Sequence, residues 1–373
     1  MALNQVGLER LNTDTTDKIG ERKNLIINGA MQVAQRGTSF TSVTASAYHL
    51  DRFQYNLNGT VGAATVTQNT VTDLAGFTKS LKVDCTTADA SLAASDRLTL
   101  RYAFEGQDLQ QVSKGTSSAK QLTLSFYIKA TKTGTQIVEL FDHDNTRHCA
   151  KSITISQSNT WEKKTITYPA DTTGALDNDN ANSISIFFGI ACGTDFTSGT
   201  LATAWAANTN ANRFVGQVNH FDNTANNFEI TGVKLEVGSV ATDFEHRSIS
   251  DELLRCYRYF QILSSNTSGG LNAHSRYPLL GNGTNNAIWY AYHKATMRVK
   301  PSLVKSNITT TTMDIFNYST SATATFSNMT MAEGDENHSQ MNCSTTNNFA
   351  IAQIGSWRWS VNQDCYFAVD SEL

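Results

Sequence analysis

The stretch FEITGVKLEVGSVATDFEHRSISDELLRCYRYFQ (Phe228–Gln261) changes its hydrophobic period partway along, and that change decides the fold. Ile230, Val233, Leu235 and Val237 are apolar with polar residues between them, the pattern of a strand with one covered face. Gly238 and Ser239 turn the chain, and a second extended piece runs through Val240 to Phe244. The period then lengthens. Ser248 or Ser250 can cap a helix whose first turn holds Asp251 and Glu252, and Leu253, Cys256, Tyr257 and Phe260 fall at i, i+3, i+4 and i+7. A helix of about three turns is unstable alone in water, so it must pack. Its apolar face can close on its own domain or meet two further copies around a threefold axis, with Arg255 and Arg258 flanking the seam; the second arrangement is the one expected.

Working outward, the chain reads as mainly β. Strands are expected from Leu25–Ile27 through Leu122–Ala130, Trp161–Tyr168, Ser183–Ala191 and Arg213–Gln217 to Phe228–Val237, each bounded by turn residues. No long helical segment separates them, which excludes a parallel α/β sheet and favours an antiparallel two-sheet sandwich. Of 373 residues, 40% are hydrophobic and only 17% charged, enough for a core in each of two or more domains. The net charge of −4 and the lack of a Lys/Arg cluster argue against nucleic acid as a partner. The segment MALNQVGLERLNTDT has neither a basic leader nor an apolar run, and no stretch of about 18 apolar residues occurs, so neither a signal peptide nor a membrane span is expected and synthesis is expected in the cytosol. The six cysteines are widely spaced with no CxxC pair, which disfavours a zinc site or a dense disulfide framework.

The Phe228–Gln261 stretch resembles the junction of tailed-phage fibre proteins, in which a jelly-roll, carbohydrate-binding-like domain closes with GVxLExGxxATxFE and continues into a helix ending in CxRYF or CQRYY. A second matching element, NLIINGAMQVAQRGTSF (Asn24–Phe40), followed by Tyr48-His-Leu-Asp-Arg-Phe53, brackets the same domain. Asp243 stands where that family commonly has proline, which loosens the turn into Phe244. The resemblance implies a virion-attachment segment at residues 1–23, a jelly roll at 24–247, a neck helix at 248–262, a distal tip at 263–373 and a homotrimer. Leu3, Val6, Leu8 and Leu11 would then dock on other tail or capsid proteins, and Leu253, Cys256, Tyr257 and Phe260 would form the trimer neck.

After the helix, short strands from Asn286–Arg298 to Cys365–Val369 are expected to form one small β-sandwich. It is rich in aromatics, and Trp289, Tyr290, Tyr292, Trp357 and Trp359 are the candidate glycan-binding residues, because sugars stack on aromatic faces while hydrogen-bonding to amides and carboxylates. Trp357 and Trp359 share one face, and that face either stacks sugar or fills the core. The cluster Phe141-Asp-His-Asp-Asn-Thr-Arg-His-Cys149 reads as a hairpin turn whose spacing matches no closed metal site, and Glu333-Gly-Asp-Glu-Asn-His338 as a solvated loop tip. No Gly-x-Ser-x-Gly, phosphate loop or HExxH helix occurs, so no catalysis, cofactor or metal is expected. The function read from the chain is multivalent attachment of a virion appendage to a host-surface glycan or other receptor, with a capsid-decorating or tail-nozzle protein and, less favoured, a glycan depolymerase as alternatives.

Overall fold

Alternation in Leu122–Ala130 and Asn182–Cys192 sends Leu124, Phe126 and Ile128 towards Ile184, Ile186 and Phe188 from opposite sheets, with Phe126 and Phe188 edge to face at 5.1 Å. The computed structural model describes residues 23–266, 279–281, 286–306, 313–317, 322–345, 354–359 and 365–373. Two antiparallel sheets face one another. One has six strands in the order Ser39–Val43, Ala63–Thr70, Lys79–Thr87, Asn227–Val237, Leu122–Ala130, Glu162–Tyr168; the other has seven, Ala206–Ala207, Arg147–Ile155, Gly134–Asp142, Asn182–Cys192, Arg97–Glu105, Phe53–Asn58, Ala47–Leu50. The chain crosses repeatedly between them, as expected of a jelly-roll sandwich.

Part of each outer face is covered too. Over the seven-stranded sheet, the segment following Cys192 lays Phe196 and Phe214 against Ile137, Ala150 and Phe187. Arg213 anchors it by forking onto Glu139, whose other partner is the His148 ring. Burial alone would raise the Glu139 carboxyl, but Arg213 and His148 outweigh it and hold it below the usual range. The expected strand at Arg213–Gln217 is a loop instead: the Arg213 and Gln217 amides close turns onto Asn210 and Phe214, and Gly216 takes a positive φ of 88°. Over the six-stranded sheet, residues 238–247 bring Phe244 and His246 onto Phe77. Trp161, just before the edge strand Glu162–Tyr168, lies half-buried, and its indole donates to Asp73.

The motifs at Asn24–Phe40, Tyr48–Phe53 and Gly232–Arg247 meet in space. Leu25 is not on a strand but donates to the Leu235 carbonyl, Val233 donates to that of Gly29, and Asn24 and Asn28 satisfy neighbouring backbone with their amides. Gly29 has no room for a side chain: a Cβ there would sit 2.1 Å from the Val233 carbonyl oxygen. Gln35 links Asp51 to the Phe260 carbonyl, and the Arg36 guanidinium lies 3.7 Å from the Phe260 ring centroid while pairing with Asp370. Arg52, almost fully buried, pairs with Glu372, donates to the Ala103 carbonyl and stacks 3.4 Å from the Tyr259 ring centroid. These motifs form a joint that clamps residues 370–373 onto the sandwich.

The helix is shorter than its periodicity suggests. Ser248 caps it by accepting from Asp251, but it spans Ile249–Cys256, and Phe260 begins a strand. Phe260 satisfies the helical spacing yet pairs with Asp370, a long-range partner that local periodicity does not report. Phe260–Asn266, Cys365–Asp370 and Ser302–Ser306 form a three-stranded sheet. The rest of the second β-region is a closed barrel in the order Leu279–Gly281, Asn286–Tyr292, His338–Thr345, Ala322–Gly334, Met313–Asn317, Ile354–Trp359, not the expected small sandwich. Closure removes the exposed edges that a small open sheet of short strands would leave.

Two buried histidines give the fold an acid limit. Burial, with Arg36 nearby, pushes His49 down to about 4, and burial, with Lys132 nearby, does the same to His220. The unfolded chain takes up these protons near pH 6.5 whereas the folded chain resists until about 4, so stability is full above 6.5 and falls as pH drops through this window, by about 3 kcal/mol per histidine. The urea midpoint should fall between pH 7 and 4.5, and less steeply in His49→Asn/His220→Asn; equal slopes would contradict this assignment.

Candidate functional site

The strand Asn286–Tyr292 alternates strictly. Ala287, Trp289 and Ala291 point into the barrel, and Ile288, Tyr290 and Tyr292 point out. Tyr290 is 44% and Tyr292 75% exposed, against 0% for Trp289. Residues two apart on a strand stand about 7 Å from each other on the same face, so the tyrosines make a continuous ledge. Opposite them on His338–Thr345, Gln340 pairs with Tyr290 and Asn342 with Ile288, and Thr330 pairs with Asn342 from the next strand. Leu280, also exposed, extends the ledge beyond Ile288 on the other side. Directly opposed residues share a face, so the aromatic rings are bordered by amide and hydroxyl groups. The Asn342 Oδ1 atom is enclosed and has no hydrogen-bond partner among the described residues, an unmet acceptor beside the rings.

Chemically, this arrangement presents apolar ring faces flanked by neutral donors and acceptors. It suits a ligand with both C–H faces and hydroxyls. Trp289 is removed from the candidate surface, because its indole fills the barrel with Met297, Met341 and Phe367. Trp357 and Trp359 lie on Ile354–Trp359, paired with Ile315 and Met313, and their side chains fall outside the described residues. The period-two run Gln340-Met-Asn-Cys343 was the sequence signal for the amide partners, and it is weak without knowledge of the strand beside it.

Leu3, Val6, Leu8 and Leu11 lie outside the described residues. Of the expected neck residues, Cys256 (0% exposed) and Phe260 (1%) are enclosed by their own chain, Leu253 is partly covered, and Tyr257 carries Lys294 over its ring at 4.6 Å. The helix face therefore closes on its own sandwich, as Glu252 accepting from the Asn28 amide also requires. The 141–149 cluster is structural: Asp142 pairs with Lys114 at 2.5 Å and accepts from the Asn145 amide, and Cys149 is core. Among the described residues, no group of three or more His, Cys, Asp or Glu is placed to hold a metal, and no helix is long and apolar enough to cross a membrane.

A second polar surface crosses the outside of the seven-stranded sheet. Gln54 accepts from Asn56 and Arg101, Arg101 donates to Ser185 at 3.1 Å, and His143 lies 3.0 Å from the same hydroxyl. Burial and the nearby Arg101 and Arg213 push His143 down to about 4, so it is neutral near pH 7. Every group in this ladder is hydrogen-bonded within the chain, which makes it a weaker candidate than the ledge.

No protein-family model matches the chain, and no curated protein matches it. Among solved structures, the enzymatically active domain of bacteriophage CBA120 tailspike protein 4 is 14% identical, with a TM-score of 0.29, over 57% of this chain and 21% of that one, so the match spans about a fifth of the tailspike chain. A family 11 carbohydrate-binding module from Clostridium thermocellum, solved in complex with a beta-1,3-1,4-mixed-linked tetrasaccharide, is 15% identical, with a TM-score of 0.25, over 55% of this chain and 99% of that one. The N-terminal CBM22-1–CBM22-2 tandem domain from Paenibacillus barcinonensis is 8% identical, with a TM-score of 0.28, over 95% of this chain and 99% of that one. The structural neighbours are thus carbohydrate-binding modules and a phage tailspike domain, at likenesses too low to carry a functional argument.

Proposed function

We propose that the chain is a non-enzymatic bacteriophage tail fibre or related virion appendage protein, which binds a host-surface glycan through the Tyr290–Tyr292 ledge of its barrel. The observation that carries this reading is the pair of exposed tyrosine rings bordered by Gln340, Asn342 and Thr330. The family-like motifs at Asn24–Phe53 and Gly232–Arg247 support the virion assignment, with residues 1–23 docking on a tail or capsid protein and the assembled particle as the protein's location. The assembly is a homotrimer whose contacts lie outside the enclosed helix face. Three weak sites, multiplied by several appendages per particle, give strong attachment without chemistry.

Tyr290→Ala/Tyr292→Ala tests this. Losing both rings should weaken each site about tenfold, and because avidity multiplies that loss, binding of the purified assembly to host cells should fall by about a hundredfold. Both positions are exposed, so the melting temperature should hold. Cell binding equal to wild type at unchanged stability would refute the ledge as the receptor site.

A further inference from the structure

Tyr292 pairs with His338, and His338 closes the hairpin turn whose residues Glu336 and Asn337 form one wall of a groove of about 500 Å³. The opposite wall comes from the sandwich, through Gln107 and Asp179, and Arg258 and Arg298 are exposed to the groove between them. Its volume lies within the roughly 300–1,000 Å³ of small-ligand sites, and junctions between modules are where such sites concentrate.

The groove's polar groups divide into two kinds. Both guanidiniums are already engaged by protein acceptors: Arg258 forks onto Glu105 at 2.7 and 2.6 Å, and Arg298 donates to the carbonyls of Asn180, Ser371 and Glu372. Asn180 returns a bond to the Arg298 carbonyl at 2.7 Å, so this part is rigid before any ligand arrives. The walls are less committed. Asp179 uses one carboxylate oxygen to accept from Ala181, and the Glu336 carboxylate has no partner among the described residues. Asn337 accepts from Thr296 through its side-chain oxygen, which leaves its amide nitrogen free to donate. Glu105 neutralises Arg258, and although Arg298 keeps its charge, its donors are used on carbonyls and the two open carboxylates of Asp179 and Glu336 outnumber it, which disfavours phosphate and other anions. It suits an uncharged ligand with several hydroxyl donors.

We infer that this groove is a saccharide subsite that seats one hexose ring of the glycan whose adjoining part lies on the tyrosine ledge. The inference rests on the glycan-binding reading above but concerns different residues, so the two can fail separately. Saturation-transfer NMR of the full chain with glucose, galactose and N-acetylglucosamine, each at millimolar concentration, is the test. At least one should show transfer, and Asp179→Asn/Glu336→Gln, which keeps both shapes and removes the charged acceptors, should weaken it at least about tenfold. Because the ledge can also stack a free hexose, the carboxylate pair is read in the Tyr290→Ala/Tyr292→Ala background, where transfer should persist until Asp179→Asn/Glu336→Gln removes it. Transfer from none of the three sugars, or wild-type binding by the carboxylate variant, overturns the subsite. So does a rise in melting temperature with calcium chloride that the carboxylate variant abolishes while no sugar binds, since the groove would then be a cation site. In cell binding, a defect in the tyrosine variant alone overturns the subsite and spares the ledge, whereas a defect in the carboxylate variant alone supports the subsite and removes the ledge.

Discussion

Arg52→Met should lower the unfolding free energy by about 3–5 kcal/mol, the cost of removing one partner from a buried ion pair. Arg52 and Glu372 are both nearly inaccessible, and the substitution leaves the Glu372 carboxylate enclosed, with Arg36 at 3.5 Å and the more distant Arg101 as the cations still near it among the described residues. The Ala103 carbonyl also loses its 2.6 Å donor, and Tyr259 loses the cation over its face. Changing both partners, Arg52→Met with Glu372→Met, should recover most of the loss, since an apolar pair of similar volume leaves no orphaned charge. Urea unfolding of both variants checks this. A single variant within about 1 kcal/mol of wild type, or a double variant worse than the single, would show that the joint is not held by this pair.

Trp289→Ala should be about as damaging, at roughly 3–5 kcal/mol, for a different reason: it opens a cavity in a small core. The indole packs with Met297, Met341 and Cys343, and its ring lies 6.0 Å from that of Phe367 on the three-stranded sheet, so it ties the barrel to its neighbour. The barrel should then melt before the sandwich, giving two transitions where Trp161 and Trp205, both in the sandwich, still report native fluorescence after the first. Loss of cell binding with an unchanged melting curve would reverse the assignment and put Trp289 at the ligand.

Strand periodicity was legible wherever one or both faces are continuously covered, as in Leu122–Ala130 and Asn182–Cys192, and the helix cap was narrowed to Ser248 or Ser250, of which the structure uses Ser248. Composition gave no sign that Asp51, Arg52, Glu139 and Lys234 would be buried, because a charge leaves solvent only when its partner arrives from elsewhere in the chain. The barrel was hidden for the same reason: closure depends on Leu279–Gly281 meeting Ile354–Trp359, a pairing with no local signature. For the candidate site, the aromatic density around Trp289 singled out the strand that carries the exposed tyrosines, but only the in-and-out alternation separates the core indole from the two surface tyrosines. The fibre-like motifs were visible as boundaries. Their physical work is to hold two β-regions together, which no spacing of residues along one line could reveal.

The strand Cys365–Asp370 lies between Phe260–Asn266 and Ser302–Ser306, and the four residues from Asp370 to Leu373 contact Arg36, Arg52, Tyr48 and Arg101 of the sandwich. During translation the sandwich can fold as it leaves the ribosome, but its clamp stays empty until the last of these residues emerges. A message cut short anywhere in the barrel would release a chain with Arg52 uncompensated and one sheet missing its middle strand, a product open to rapid proteolysis.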